Sequence, residues 1–334
     1  MKVLIVNQSE VVELLPMAEC IDVMVETLKA LARGETILPL RPIMWLPERV
    51  GALGLMPGYM DNIKSMGVKV ITIFAGNQGT QYDSHIGAVL LFEAEHGVLQ
   101  AIMDASSITG IRTAAVSGLA TRLLARDDAH DLAILGSGVQ AQTHLDAMLC
   151  VRPIKRVRVW SRNADNAKHF ADKESRKRGI TVEPIASAQQ AVAGADIICT
   201  TTSSPEPVLR GEWIAAGAHI NAVGSSVPFT RELDTQAVVK SRLFVDRRES
   251  TLNEAGDFLM PKKEGALGDE HILGEIGELL LDKVKGRQSP QDITLFKSLG
   301  IAVEDVASAY HIYKQANKKG RGTWVELGGE RHDD

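Results

Sequence analysis

The sequence contains no uninterrupted apolar run near the ~18–20 residues needed to cross a bilayer, so it predicts no transmembrane helix. It also lacks an excess of positive charge, since 37 Lys and Arg residues stand against 42 Asp and Glu, for a net charge of −5. A nucleic acid or an anionic membrane normally needs a basic surface, so we expect neither as a partner. The first residues hold one Lys and a short apolar run before acidic residues, unlike a secretory or transit peptide. We therefore expect a cytoplasmic protein.

Cysteine is scarce as well. Cys20, Cys150 and Cys199 each stand alone in an apolar segment, which disfavours a disulfide framework or a metal cluster. We expect buried, reduced thiols, as is usual in the cytoplasm, and no metal site. Internal repeats and low-complexity segments are also missing, and the tail from 328 to 334 is expected to be disordered.

What the sequence does contain is a short apolar strand that runs directly into a glycine turn, in residues 131–144. In this G-x-G-x-x-A pattern, Gly136 permits the tight turn, Gly138 lets the backbone approach phosphates, and Ala141 keeps the next helix close to the sheet. The first N–H groups of that helix then face the anion. The pattern alone is a weak signal, but its position between a strand and a helix predicts a dinucleotide site.

The length of 334 residues predicts two domains. From residue 133 onward, apolar runs alternate with helical stretches, which is typical of βαβ units around a parallel sheet covered on both faces. The runs are 132–135, 157–160, 196–200, 219–223 and 243–245, and the helical stretches include 165–178 and 186–193. We predict an α/β fold whose residues 113–302 form a Rossmann-type doubly wound parallel sheet that binds NAD(P).

Residues 1–112 have a different pattern. An amphipathic helix over 16–33 is followed by strand-like pieces without helices between them, at 42–46, 52–56, 67–74, 86–93 and 97–103. Turn residues separate the pieces, which predicts an α+β domain with an antiparallel sheet. A helix over about 106–125 joins it to the second domain. The last helix, from 303 to 319, is expected to have no following strand and to complete the first domain within residues 303–330.

Cations interrupt apolar surfaces in this first region. Lys69 shares a strand face with Ile71, and Arg112 shares a helix face with Ile108. Such a charge is costly to bury unless an anion is paired with it. A structural ion pair or a snorkelling side chain would explain each cation separately. Together with Arg41, they favour a cradle for the carboxylate of a small α-amino or α-imino acid.

Four segments in collinear order resemble the ornithine cyclodeaminase/mu-crystallin family: residues 109–117, 136–142, 219–226 and 294–305. The resemblance covers nearly the whole chain. It implies an NAD(P)-dependent enzyme acting at the Cα–N bond of amino or imino acids, such as a cyclodeaminase, an amino acid dehydrogenase or a ketimine reductase. It also implies a homodimer, in which residues 1–112 form the substrate-binding and dimerisation domain and the C-terminal helix folds back on it.

The resemblance also assigns candidate site residues, matched motif by motif. Arg41, Lys69 and Arg112 are similar to the family's carboxylate-binding cations, and Lys69 and Arg112 become the candidate catalytic residues. Ser84 and Ser226 are further candidate substrate contacts. The candidate cofactor-binding residues are Thr113, Gly136, Ser137, Gly138, Val139, Gln140, Ser161, Arg162, Thr201, Val223, Gly224 and Ser298.

Two positions depart from the pattern of true ornithine cyclodeaminases. Those enzymes are expected to carry an Asp at the position of Ser226, and an acidic contact for the distal amine at the position of Met56. A site without both carboxylates is not expected to select a dibasic amino acid, so mu-crystallin-like ketimine reductases are the better parallel. The alternatives are a cyclodeaminase that converts L-ornithine to L-proline and ammonia, and a catalytically weak, NADPH-dependent binding protein of the mu-crystallin type.

The cofactor preference depends on the turn after the second strand of the nucleotide domain. A site that prefers NAD would place an Asp or Glu there to bind the ribose 2′-OH. This chain has Ser161, Arg162 and Asn163, and an Arg can pair with a 2′-phosphate and stack beside the adenine. The sequence therefore predicts a preference for NADP(H), with NAD(H) as the second choice, although a solvated basic turn would have the same composition.

The expected chemistry is hydride transfer from NADPH to Cα of a protonated imine whose carboxylate lies among the three cations. Lys69 is a candidate proton donor because burial would lower its pKa; otherwise the iminium arrives already protonated. His85 is a weaker candidate for a proton donor. Glu304 and Asp305, on the final helix, are expected to serve packing or capping.

Overall fold

The structure is a computed structural model that describes residues 1–77 and 79–329. The strands are β1 (Lys2–Val6), β2 (Thr36–Ile37), β3 (Ile43–Trp45), β4 (Ala52–Met60), β5 (Ser65–Ile73), β6 (His85–Glu93), β7 (Leu99–Asp104), β8 (Asp131–Leu135), β9 (Arg156–Trp160), β10 (Val182–Pro184), β11 (Ile197–Thr200), β12 (His219–Ala222), β13 (Arg242–Val245), β14 (Ile272–Glu275), β15 (Thr294–Lys297) and β16 (Thr323–Glu326). The α-helices are α1 (Gln8–Leu14), α2 (Met17–Ala32), α3 (Ala105–Leu124), α4 (Val139–Val151), α5 (Ala164–Arg178), α6 (Ala188–Val192), α7 (Thr235–Val239), α8 (Arg248–Glu254), α9 (Gly256–Lys263), α10 (Ile276–Leu280) and α11 (Ala302–Lys319). Short 3-10 turns lie at Pro47–Arg49, Asp61–Ile63, Ala75–Asn77, Gly211–Trp213 and Asp269–His271.

The chain divides into two compact units, Met1–Arg112 with Ile301–Asp334, and Thr113–Gly300. In the first unit the sheet has the strand order β16-β1-β7-β6-β5-β4-β2, with β3 also paired to β4. The central strands pair antiparallel in register, as expected for the alternating buried and exposed side chains of β5. Lys69 lies opposite Met56 on one side and Val89 on the other.

Two features of this sheet differ from the expectation. β1 was not assigned as a strand from the sequence, and it pairs parallel to β7. The final helix does have a following strand, since β16 pairs antiparallel with β1. The prediction of no strand was wrong because β16 is an exposed edge strand without an apolar face. Of the predicted disordered tail, residues 330–334 lie outside the described residues.

The final helix packs on the face of this sheet that carries Lys69. α11 contacts β4, β5 and α2. Its buried apolar residues Val303, Val306 and Ile312 recur at helical spacing and form the contact stripe. Glu304 and Asp305 lie within the same buried stretch, so two carboxylates are carried into the interior.

The second unit is a parallel sheet of order β10-β9-β8-β11-β12-β15-β13-β14. Its inner strands β8, β11 and β12 are buried almost without interruption, as in a sheet covered by helices on both faces. The strand order reverses between β8 and β11, the point at which doubly wound sheets bind ligands outside their carboxyl ends. The predicted α/β class, with one doubly wound sheet and a second α+β part, is confirmed.

Two smaller expectations need correction. The predicted helix over 186–193 is shorter, Ala188–Val192, because Ser187 caps it by accepting a hydrogen bond from the backbone N–H of Gln190. Cys150 is exposed at the end of α4, whereas Cys20 and Cys199 are buried as expected. None of the helices in the described part of the chain combines the length and the apolar character of a membrane span.

Candidate functional site

In the second unit, the glycine turn after β8 has the geometry of a phosphate-binding loop. Gly136 has φ +123°, and a Cβ there would lie 2.7 Å from the carbonyl oxygen of Thr201. A side chain is therefore excluded both by the backbone conformation and by the neighbouring segment. Gly138 is the N-cap residue of α4, and a Cβ added to it would meet open space. The turn thus leaves room at the N-terminus of a helix, where an anion is favoured.

The other cofactor candidates follow the carboxyl ends of adjacent parallel strands, so the sheet brings them to one edge. Thr201 follows β11 and its backbone N–H donates to the carbonyl of Leu135 at 2.8 Å. Val223 and Gly224 follow β12, and Ser298 follows β15 and donates its backbone N–H to Ala222 at 3.0 Å. These contacts fix one continuous edge beside the glycine turn.

The turn after β9 carries the candidates for cofactor preference. The hydroxyl of Ser137 donates to that of Ser161 at 3.0 Å, which ties this turn to the glycine turn. Arg162 is exposed, and Asn163 caps α5 by accepting from the backbone N–H of Asp165. This turn therefore carries an exposed cation and no acidic side chain at residues 161–163.

Three further cofactor candidates lie on helices. Val139 and Gln140 begin α4, directly after the glycine turn, and Val139 is exposed. Thr113 is buried on α3, and among the described residues its side chain forms no hydrogen bond. The structure thus brings the two α4 residues to the glycine turn, while its contacts give Thr113 no visible part in that loop.

In the first unit, Lys69 is almost fully buried, with 2% of its surface exposed. Its Nζ lies 2.9 Å from Asp305 Oδ2 and 3.2 Å from the Thr109 hydroxyl. Burial, followed by the charge of Arg112, lowers the pKa of Lys69 to about 8, against the opposing effect of Asp305. The pKa shift has the direction expected from the sequence. At neutral pH the ammonium group is retained, but it releases a proton more readily than an exposed Lys does.

Arg112 is buried beside Lys69. Its Nε donates to Asp305 Oδ1 at 3.0 Å and one terminal nitrogen donates to Glu304 Oε2 at 2.8 Å. The ion-pair explanation considered from the sequence is therefore present for both cations. Glu304 also accepts the backbone N–H of Ile301 at 3.3 Å, so the expected capping role is accompanied by an ion pair that was not expected.

Arg41 lies on the same face of the sheet as Lys69. In the β3–β4 ladder Ile43 pairs with Gly54, so continuing the register brings Arg41 opposite Met56, which itself pairs with Lys69. After burial and the charge of Arg112, the charge of Arg41 also lowers the pKa of Lys69. The register thus puts Arg41 and Lys69 on either side of Met56, and Asp305 joins Lys69 to Arg112.

The two serine candidates have different surroundings. Ser84 is exposed just before β6, and its hydroxyl lies 3.0 Å from Nδ1 of His85. Desolvation of the His85 ring, followed by the charge of Lys69, holds the pKa of this imidazole below its usual value. Ser226 lies in the loop after β12, in the other unit, and its side chain has no hydrogen bond to the described residues.

A buried ionic cluster that was not predicted from the sequence lies at the loop after β12. Glu232, Asp257 and Lys297 are each at most 2% exposed. Nζ of Lys297 lies 2.9 Å from Asp257 Oδ2, and Asp257 accepts the backbone N–H of Glu232 at 2.8 Å. Lys297 follows Leu295 and Phe296, and Asp257 precedes Phe258 and Leu259, which is the same signal that singled out Lys69, whereas Glu232 lies between Arg231 and Leu233 and gives no such signal.

Comparison with known proteins gives consistent matches over this whole arrangement. The family model described as "Ornithine cyclodeaminase/mu-crystallin family" matches residues 1–320. The ketimine reductase mu-crystallin of Mus musculus is 41% identical over 280 residues, 84% of this chain and 85% of the relative. The Thermococcus litoralis Delta(1)-pyrroline-2-carboxylate reductase, solved with NADH and L-proline, has a TM-score of 0.94 and 38% identity and covers 96% of this chain and 99% of its own.

An archaeal alanine dehydrogenase dimer with bound NAD has a TM-score of 0.92 at 31% identity, covering 98% of this chain and 100% of its own. The matches span both units and include the glycine turn and the buried cations. The chain belongs to the ornithine cyclodeaminase/mu-crystallin family.

Proposed function

We propose that this protein is an NAD(P)H-dependent reductase of small α-imino acids, producing the corresponding amino acid. The observation that carries the proposal is the cationic cluster of the buried Lys69 and Arg112 with the partly exposed Arg41. Burial first, and then the charges of Arg112 and Arg41, lower the pKa of Lys69 although Asp305 opposes the shift, so a further anion is favoured beside its ammonium group. The carboxylate of a bound substrate would stabilise the ammonium form of Lys69. The relatives named ketimine reductase and pyrroline-2-carboxylate reductase support the same reaction class.

The residues of the second unit fit a nicotinamide dinucleotide. Gly136–Gly138 and the N-terminus of α4 would hold the pyrophosphate, and the edge formed by Thr201, Val223 and Ser298 would hold the nicotinamide half. We propose that Arg162 gives NADP(H) preference by pairing with a 2′-phosphate. When bound, the reduced cofactor supplies the hydride that the imine carbon accepts.

The chain's own residues bind, orient and protonate the substrate. Arg112 would donate from its terminal N–H groups to the oxygens of the substrate carboxylate, in the plane of that group, while Glu304 and Asp305 fix the direction of its guanidinium. The Lys69 ammonium, held by Asp305 and Thr109, contacts the same carboxylate and holds a transferable proton at Nζ. Met56 forms an apolar floor between the cations and offers no counter-charge for a second amine.

This composition of the site disfavours the cyclodeaminase alternative. A dibasic substrate needs a carboxylate for its distal amine, and the two positions considered for it hold Met56 and Ser226. The carboxylates that are present, Glu304 and Asp305, are already paired with Arg112 and Lys69. A small, uncharged side chain on the imino acid fits this site better.

We also propose a homodimer formed through the outer face of the first unit's sheet. This face exposes the apolar side chains of Met44, Leu55, Met66 and Ile86, which the pairing registers bring to one side. An apolar sheet face of this kind is typical of an interface between subunits. The dimer named for the archaeal alanine dehydrogenase supports the proposal. A cytoplasmic location agrees with the free thiols of Cys20, Cys150 and Cys199.

The test is NADPH oxidation by the purified protein with a panel of imines: pyrroline-2-carboxylate, piperideine-2-carboxylate, and pyruvate with ammonia or methylamine. We expect turnover with at least one cyclic imino acid, and none with pyrroline lacking the carboxylate. Turnover of L-ornithine to L-proline, or tight NADPH binding with no turnover of any imine, would contradict the proposal and favour one of the two alternatives.

A further inference from the structure

We infer that Glu232 is a positioning residue for hydride transfer, a role that rests on the proposed function. Glu232 is fully buried in the loop between β12 and α7. Its Oε2 accepts the hydroxyl of Thr200 at 2.7 Å and the backbone N–H of Gly224 at 2.6 Å. Its Oε1 accepts the hydroxyl and the backbone N–H of Thr202 at 2.7 and 2.6 Å. One carboxylate therefore joins the segments that follow two adjacent strands.

The space around Gly224 is too small for any side chain. A Cβ on Gly224 would lie 2.6 Å from Glu232 Cδ and 2.0 Å from the carbonyl oxygen of Thr202. The N–H of Gly224 thus points inward, at Glu232. Because the peptide bond is trans, the carbonyl of Val223 points the opposite way. The described residues form no hydrogen bond to that carbonyl oxygen.

A second set of contacts holds the same peptide from the other strand. Lys297, at the end of β15, donates to the carbonyls of Ala222 and Ser225 at 3.3 and 2.5 Å, which flank Val223 and Gly224. Lys297 is paired with Asp257 at 2.9 Å. Asp257 in turn accepts the backbone N–H of Glu232 at 2.8 Å. The three ionic groups fix the Val223–Gly224 peptide at the edge of the sheet, where the nicotinamide half would lie.

Four donors from the segments after β11 and β12 converge on the Glu232 carboxylate, and one of them is the N–H of the Val223–Gly224 peptide at the edge where the nicotinamide half would lie. Without the Glu232 carboxylate, the N–H of Gly224 would lose its acceptor and the segments after β11 and β12 would separate. A shift of this edge by about 1 Å would misplace the hydride donor relative to the imine carbon, which costs up to about 100-fold in rate.

The experiment compares Glu232→Gln with a matched control, Asp196→Asn, in the full chain. Asp196 joins two strands of the same sheet at its opposite, amino edge, by accepting the backbone N–H groups of His130 and Asp131 at 2.9 and 3.0 Å. An amide at position 232 keeps the shape but cannot accept all four hydrogen bonds. A third variant, Glu232→Asp, keeps the charge with a shorter reach.

We expect kcat of Glu232→Gln to fall about 10- to 100-fold while KM for the imine changes less than about threefold. Amide hydrogen exchange should rise in residues 200–202 and 223–225 of this variant and nowhere else in the second unit. The primary isotope effect with C4-deuterated NADPH should increase, and Glu232→Asp should recover part of kcat. In Asp196→Asn, the melting temperature should fall while kcat stays within about twofold.

The inference is overturned when Glu232→Gln loses thermal stability like Asp196→Asn but retains its kcat and its isotope effect. It is also overturned by a rise in exchange spread over the whole unit. An unmodified protein that binds NADPH but reduces no imine overturns the proposed function alone, because amide exchange at residues 200–202 and 223–225 of Glu232→Gln still tests whether Glu232 holds this edge. An unmodified protein that binds no NADPH overturns both.

Discussion

Lys69 is charged at neutral pH, and yet its pKa is low enough for it to release a proton more readily than an exposed Lys does. Desolvation and Arg112 lower its pKa to about 8, and Asp305 limits the shift by stabilising the cation. The site can therefore bind an anion at neutral pH and still supply a proton. Replacing Lys69 by Arg would keep the first property and remove the second.

This balance predicts the pH dependence of anion binding. A bound carboxylate raises the pKa of Lys69, so affinity is fully present below about pH 8 and is lost as the pH rises and Lys69 deprotonates. We expect the inhibition constant of cyclopentanecarboxylate, which has no titrating nitrogen, to stay level from about pH 6.5 to 7.5 and then to rise about tenfold per pH unit above 8. Lys69→Arg should show no such rise up to pH 9.5 or so. A level profile in the unmodified protein would contradict the assignment of Lys69.

Arg162 should control the cofactor preference. Hydrogen bonds to charged groups contribute about 1.5–3 kcal/mol, so Arg162→Ala should raise KM for NADPH about 10- to 100-fold and KM for NADH less than about twofold. The control is Arg156→Ala, because Arg156 lies at the opposite, amino end of β9 and is paired with Glu183 at 2.8 Å. Equal effects of Arg162→Ala on both cofactors would indicate a solvated basic turn instead.

At the scale of the elements, the strands of the second unit that could be predicted were those with uninterrupted apolar runs. β8, β11 and β12 are of this kind because helices cover both faces of their sheet. β10 has three residues and ends in Pro184, and β14 contains Gly274 and Glu275, so neither has a pattern of its own. These strands form because neighbouring strands offer hydrogen-bonding edges.

The candidate site, too, could be predicted from the sequence only in part. The apolar setting of Lys69 and Arg112 identified both cations, and the same criterion applied to α11 would have flagged Glu304 and Asp305 among buried valines. Their pairing with the cations is a matter of topology, because Asp305 is 236 residues from Lys69. No local pattern reports a contact between positions so distant in the chain.

In the glycine turn, we expect substitution of Gly136 to destabilise the protein and substitution of Gly138 to leave its stability unchanged. Gly136→Ala would strain a backbone at φ +123° and push a methyl group against Thr201, so we expect a loss of about 2 kcal/mol or more of unfolding free energy. Gly138→Ala has open space and an ordinary backbone conformation, so its melting temperature should stay within about 2 °C of the unmodified protein.

Although Gly138→Ala should be as stable as the unmodified protein, we expect it to bind NADPH more weakly. The methyl group of Gly138→Ala would occupy the space needed by phosphates, so the Kd for NADPH should rise at least about tenfold in a protein of normal stability. Fluorescence titration measures the Kd, and calorimetry measures the melting temperature. Unchanged NADPH affinity in Gly138→Ala would show that the phosphates do not approach this turn.

At the scale of the whole molecule, the outer sheet face of the first unit predicts the oligomeric state. Leu55→Lys would bury a charge in the proposed interface, so we expect the species in sedimentation velocity to shift from a dimer toward the 36.2 kDa monomer. The control is Val12→Lys, because Val12 is also exposed but lies on α1, away from that face. A monomeric unmodified protein, or an unaffected Leu55→Lys, would contradict the proposed dimer.

The first unit is discontinuous, and this has a consequence for biosynthesis. A ribosome releases Lys69 and Arg112 long before it makes Glu304 and Asp305, the carboxylates that neutralise them in the finished protein. Until then these two cations must stay hydrated in the nascent amino-terminal part, which opposes early collapse of its core. Thr113–Gly300 is an uninterrupted stretch and can fold as it emerges. Assembly of the first unit is thereby postponed until the last helix has been synthesised.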